Sequence, residues 1–164
     1  MRLNKIITLL IICLCTSFIC HSVSAGGTEI KEAQEFIVEF EKLSHNYDEK
    51  LISMYADNAK IIRNLEHKNG KVEKIIIPTD KYKKFLKFVG FFAKIQGYKN
   101  YYKNLDYKAE GENVRITGIR ANTNKYTAPV SILVGKNEKG EWRILEEITS
   151  TQSAFLIKEI FLRF

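Results

Sequence analysis

Two side chains in this sequence pose a chemical question by where they sit. In the run Ala59-Lys60-Ile61-Ile62-Arg63-Asn64-Leu65, strand alternation puts Ile61, Arg63 and Leu65 on one face. Near the other end, Trp142, Ile144, Glu146 and Ile148 share a face that is apolar except for Glu146. A guanidinium or carboxylate taken out of water needs a partner. The expectation is that Arg63 and Glu146 meet inside a cavity; the competing arrangement sends Arg63 to solvent and leaves Glu146 at a wet rim. Either way Arg63 is no general base, because arginine stays protonated and cannot abstract a proton from carbon.

The other reactive side chains are scattered. His45 falls in a helix–helix turn and His67 beside a hairpin turn, and no Asp/Glu cluster frames either, so both read as surface histidines and not as metal ligands or triad members. Ser44, Ser53, Ser131 and Ser153 have no base beside them. Asp57 reads as a turn residue, Asp106 as an unpaired carboxylate, and there is no glycine-rich phosphate loop. Thus no catalytic residue, metal site or cofactor is assigned. The tyrosines Tyr98, Tyr101, Tyr102, Tyr107 and Tyr126 crowd one region. They suit either a pocket, where ring and hydroxyl are both useful, or plain strand propensity. The residues predicted to line a pocket are Tyr55, Arg63, Phe92, Tyr102, Trp142 and Glu146.

These residues must be positioned by the elements the sequence pattern predicts. Ile30, Ala33, Ile37 and Phe40 recur at helical spacing, so a helix is predicted from Glu29 to about Ser44 with Thr28 as its cap. Asp48 caps a short second helix through Met54 and Tyr55, and Asp57-Asn58 turns the chain. A hairpin follows, Lys60 to Lys68 with Lys71 to Ile77, around Asn69-Gly70. Thr79 or Asp80 opens a helix to about Gln96, stopped by Gly97; its Tyr82, Phe85, Phe88, Phe91 and Phe92 read as core packing against a sheet. Strands are predicted over Tyr98 to Glu110, Asn113 to Ala121 (Val114, Ile116 and Gly118 on one face), Thr127 to Gly135 and Glu141 to Thr149. Helices early and strands late argue an α+β fold and against a doubly wound parallel sheet.

The first 25 residues read as an export signal. Arg2 and Lys5 precede an apolar run from Ile6 to Ile19, and Val23-Ser24-Ala25 supplies small residues for cleavage after Ala25. An uncleaved anchor is the competing arrangement, although the run is short against the roughly 20 residues of a membrane span. Cleavage would remove Cys13, Cys15 and Cys20, all the cysteines, so disulfides, thiolate metals and a cysteine nucleophile are excluded from residues 26–164. These are expected to form a single domain with an apolar tail over 154–164, in the periplasm or outside the cell. The chain carries a formal charge of +7, two units of it in the leader, from lysines spread along its length. That allows at most peripheral attraction to anionic lipid or cell-wall polymers, and there is no nucleic-acid motif.

Three segments carry a family resemblance: Met54-Tyr55-Ala56-Asp57-Asn58-Ala59 entering the first strand, Pro78-Thr79-Asp80 opening the long helix, and Gly140-Glu141-Trp142-Arg143-Ile144 opening the last strand. Together they resemble the nuclear transport factor 2-like superfamily, the cone fold of ketosteroid isomerases, polyketide cyclases and many small binding domains. The resemblance implies a strongly curved, mostly antiparallel sheet wrapped around the helices, and a sheet face available for homodimerisation. It does not carry the isomerase machinery across. That family's general base is an aspartate four residues beyond the alanine that starts the strand, and counting from Ala59 gives Arg63. Its oxyanion tyrosine lies on the first helix, where this chain has Glu39 and Phe40.

The expected function is therefore an exported, non-catalytic binding module, with a cone that takes a small, mostly apolar ligand or is filled by core. The alternatives are an isomerase- or cyclase-like enzyme with a non-standard pocket, and an assembly or immunity-type protein acting through its sheet face and tail. The tail AFLIKEIFLRF would fold back over the cone or the sheet, or else form a dimer seam, a partner surface or a membrane-facing patch.

Overall fold

The computed structural model describes residues 25–155, 157 and 158. Residues 1–24, which hold all three cysteines and all of the expected export signal but Ala25, and residues 156 and 159–164 of the tail lie outside these. The elements are α1 (Ala25–Asn46), α2 (Lys50–Ser53), β1 (Tyr55–Glu66), β2 (Val72–Ile77), α3 (Thr79–Ile95), β3 (Asn100–Glu110), β4 (Asn113–Asn122), β5 (Thr127–Lys136) and β6 (Trp142–Thr151). The strands form one curved sheet in the order β2-β1-β6-β5-β4-β3. All neighbours are antiparallel except β1 and β6, which meet in parallel near the middle.

The core fills the concave side. Ala33, Ile37 and Phe40, four and three residues apart on α1, are buried against β3 and β4. They meet Val114 and Ile116 of β4, Val130, Ile132 and Val134 of β5, Ile144 of β6 and Ile61 of β1 in one cluster. The second helix of the sheet's inner side, α3, packs on β1. At its start the Thr79 hydroxyl donates to the Ala59 carbonyl, tying helix to strand. At its end Gly97, at φ +63, lets the Tyr98 N–H reach back to the Ala93 carbonyl at 2.9 Å, a glycine-terminated helix end.

Local differences from the expected boundaries have local causes. Helix α1 begins at Ala25, so Thr28 is a first-turn residue and not the cap. The strand after α2 starts at Tyr55, with exposed Asp57 and Asn58 bowing out of it between the pairs Tyr55↔Ile144 and Lys60↔Glu146. The turn at Asn69-Gly70 is a three-residue loop: the His67 N–H donates to the Lys71 carbonyl, the Gly70 N–H to the His67 carbonyl, and Gly70 takes φ +81. Asn137 to Glu141 repeats that pattern with Gly140 at φ +75. The aromatic run of α3 divides. Tyr82 and Phe85 are buried, while Phe88, Phe91 and Phe92 are exposed, so only the first half of the helix packs as core.

Candidate functional site

Arg63 is buried on the inner face of β1 between Ile61 and Leu65, as the alternation requires. Its partner is Glu147 and not Glu146: Nη2 donates to Glu147 Oε1 at 2.9 Å, and the two side chains are 4% and 3% exposed. The cause is a β-bulge. Leu133 pairs with Glu146 and Val134 with Ile144, so Leu145 has no partner on β5 and the alternation of β6 slips by one. Trp142 and Ile144 keep the predicted facing; beyond the bulge Glu147 and Thr149 turn inward. Glu146 goes to the other face, held by Arg115 Nη1 at 2.7 Å and by Lys60 Nζ at 3.7 Å.

Tyrosines complete the buried pair. The Tyr55 hydroxyl donates to Glu147 Oε2 at 2.6 Å, so both carboxylate oxygens are engaged. Arg63 Nη2 also donates to the Tyr82 hydroxyl at 2.6 Å, and its Nη1 donates to the Ile62 carbonyl at 3.1 Å. The guanidinium carbon lies 4.9 Å from the centre of the Tyr82 ring, and Tyr82 meets Tyr55 edge to face at 5.5 Å. Burial pushes the Tyr55 phenol well above its ordinary range, with the Glu147 charge adding to it. It pushes Tyr82 up as well, with Arg63 opposing. Burial is the largest influence on Arg63 and works against its charge, but Glu147 together with Tyr82, Tyr55 and Tyr102 outweighs it and holds the guanidinium more firmly protonated than in water. The result is an ion pair closed off from solvent, with both carboxylate oxygens and both terminal guanidinium nitrogens engaged.

Above this pair opens a cavity of about 810 Å³, bounded on one side by α3 and on the other by the sheet and the Thr151–Ser153 segment. The helix side is apolar: Phe85, Leu86, Val89, Phe92 and Ala93. The sheet side is polar: Arg63 at the floor, then Arg120, Asn100, Asn122 and Tyr126. Cross-strand pairing sets these groups side by side, Arg120 opposite Tyr102 and Asn122 opposite Asn100. Exposed Gln96, Asn124 and Gln152 mark the mouth. Asn122 Nδ2 donates to the Tyr98 hydroxyl at 2.9 Å, whereas Asn100 Oδ1 and the Tyr126 hydroxyl are buried without a hydrogen-bond partner among the described residues.

Of the six residues predicted to line a pocket, Arg63 and Phe92 line this cavity. Tyr55 and Tyr102 stand behind its wall and pack against Phe40, edge to face at 5.9 Å and tilted at 5.7 Å between ring centres. Tyr102 also edges a separate depression of about 450 Å³ beside α1. Trp142 sits at the start of β6, its indole N–H donating to Glu32 Oε2 at 3.0 Å with Lys136 over its ring. Glu146 is on the outer sheet face. Sequence reasoning missed Glu147, which the bulge conceals, and Arg120. For Arg120 a signal existed: the face carrying Val114, Ile116 and Gly118 reaches Arg120 two residues on. Among the described residues no group of His, Cys, Asp and Glu could hold a metal ion, and no helix is long and apolar enough to cross a membrane.

This architecture is the nuclear transport factor 2-like, or cystatin-like, cone fold. Solved structures similar to it include a protein of unknown function with that fold from Pseudomonas putida, at TM-score 0.59 and 12% identity over 74% of this chain and 84% of that one. Another, from Novosphingobium aromaticivorans, aligns at TM-score 0.55 and 12% identity over 84% and 90%. A putative dehydratase of the same fold from Streptomyces avermitilis gives TM-score 0.55 and 11% identity over 77% and 98%. At such identities the likeness is one of fold. No protein-family model and no curated protein matches the sequence.

Proposed function

We propose that this chain is an exported, non-catalytic binding module whose cone cavity takes one small, mostly apolar molecule. The observation that carries the reading is the cavity itself. Its volume of about 810 Å³ falls within the roughly 300–1,000 Å³ of small-molecule sites, and it pairs an apolar helix wall with a few convergent polar groups. Chemistry of the isomerase or cyclase type finds little footing here. The carboxylate at the heart of the cone, Glu147, has both oxygens committed to Arg63 and Tyr55 and stands behind the cavity floor. Export rests on the first 25 residues of the sequence alone.

Binding is tested with the uncharged dye Nile red and by native mass spectrometry of the purified protein. One saturable dye site, lost in a Val89→Trp variant that fills the cavity, is the expected result. The absence of both saturable binding and any retained mass would refute the reading.

A second reading, action through a protein surface, has one observation in its favour. Phe91 and Ile95, on the far half of α3, are 67% and 69% exposed, with Phe88 beside them. The homodimer belongs to this reading. Light scattering that gives a dimer, split to monomers by Phe91→Glu with Ile95→Glu, would favour it; a wild-type monomer would remove it.

A further inference from the structure

We infer that the cavity is built for an amphiphilic monocarboxylic acid, with Arg120 receiving the carboxylate and α3 covering the apolar body. The inference deepens the binding-module reading and rests on it. It begins with a comparison of the arginines. Among the described residues, Arg63 is paired with Glu147, Arg115 with Glu110 and Glu146, and Arg143 with Glu141. Arg120 has neither an ion pair nor a hydrogen-bond partner among the described residues, yet it is half-buried and lines the cavity. A partly desolvated guanidinium with five unused donors is costly to keep unless something anionic comes to it.

The surroundings limit what that anion is. The charge of Arg63 is cancelled by Glu147, so one positive charge is left over on the cavity wall. Glu66 is the further carboxylate whose field reaches this region, acting on Tyr126, and it forms no ion pair with Arg120. One surplus charge matches a carboxylate better than a phosphate monoester, which carries about −1.5 to −2 at neutral pH. The planar guanidinium fork also fits a carboxylate through two parallel hydrogen bonds. Arg120 lines the same cavity as Tyr47, Tyr82 and Tyr126. Burial keeps the Tyr126 hydroxyl protonated, and it has no partner among the described residues, so it is a second donor for the same anion. Asn100 Oδ1, an acceptor equally without a partner, suits a hydroxyl on the ligand's body. Across the cavity Phe85, Val89 and Phe92 present the apolar surface against which a chain or ring would lie.

The test compares dodecanoate, dodecanol and dodecyl phosphate as competitors of Nile red, all below their micellar concentrations. Dodecanoate is expected to bind about tenfold or more tighter than dodecanol, the worth of one charge-assisted hydrogen bond. Arg120→Gln is expected to bring that ratio close to one, and Arg120→Lys to keep most of it. The ratio is the readout, so a variant that folds poorly weakens both competitors together and leaves it unmoved. Equal binding of dodecanoate and dodecanol by the wild type, or an unchanged ratio in Arg120→Gln, overturns the inference while dye binding leaves the cavity reading intact. Tighter binding of dodecyl phosphate overturns the carboxylate class. If neither dye nor any competitor binds, the cavity reading falls and this inference with it.

Discussion

Replacing Arg63 by leucine would leave the Glu147 carboxyl group without its cation in a place that is 3% exposed, with the Tyr55 hydroxyl as its remaining hydrogen-bond partner. The Tyr82 hydroxyl would lose its donor at the same time. Removing one member of a buried pair costs about 3–5 kcal/mol, most of it from the charge left behind. Against a total stability of about 5–15 kcal/mol this is a large share, and it corresponds to a fall in Tm of roughly 10–20 °C for a domain of this size. The informative experiment is a double-mutant cycle by urea unfolding with Arg63→Leu, Glu147→Leu and the two together. Once both charges are gone, what remains is the orphaned tyrosine hydroxyls, at about 1–3 kcal/mol each, offset by better apolar packing. The double variant should therefore be at least about 2 kcal/mol more stable than the sum of the single losses predicts, with the m-value unchanged. Additivity within about 0.5 kcal/mol, or an Arg63→Leu variant that unfolds at the wild-type midpoint, would refute the buried pair.

The remaining predictions concern neighbouring features. Glu146→Gln should cost about 1 kcal/mol or less, because Glu146 is partly exposed and meets Arg115 and Lys60 on the outer face; a loss as large as that of Glu147→Gln would place the wrong glutamate inside. Gly118→Ala should lose about 1–3 kcal/mol, since its Cβ would lie 2.7 Å from Leu105 Cδ2 and 2.8 Å from the Lys103 carbonyl oxygen, and a neutral effect in the melting curve would contradict that contact. The tyrosine shifts set an alkaline limit. Burial raises Tyr55, Tyr82 and Tyr102 in the folded state above the unfolded value near 10, so their contribution is whole below about pH 10 and is lost as pH rises above it. Tyrosinate absorbance from these three should then appear together with the loss of far-UV circular dichroism; its appearance in a still folded protein would count against their burial.

How far the sequence reaches is clearest strand by strand. The facing of β1 was legible because Ile61, Arg63 and Leu65 alternate without interruption, and the limits of α3 because Thr79 and Gly97 punctuate it. The facing of β6 was legible only up to Ile144. A bulge at Leu145 leaves no mark in residue types, yet it exchanges the fates of two adjacent glutamates. The exposed half of α3 was hidden for a different reason. Periodicity tells which residues share a stripe, but not how much of the stripe the sheet is long enough to cover. The β1–β6 pairing joins the first and last strands in parallel, and no local pattern announces such a contact.

The two arginines of the cavity differ in partners, and that difference is the substance of the functional argument. A cone filled only to make a core would have no use for a guanidinium on its wall, since an apolar residue there would be cheaper to bury. Arg63 is accounted for: Glu147 cancels it, the tyrosines bond it, and its removal is a matter of stability. Arg120 is unaccounted for by stability, because no described side chain accepts from it. Substitution at the two positions should therefore separate cleanly. Arg63→Leu is expected to lower Tm with the dodecanoate-to-dodecanol ratio preserved wherever the protein remains folded. Arg120→Gln is expected to lower the ratio with a change of only a few degrees in Tm, as for a half-buried residue without a partner. If Arg120→Gln instead destabilised the fold as severely as Arg63→Leu, Arg120 would have to be a structural cation, and the asymmetry that assigns it to a ligand would be gone.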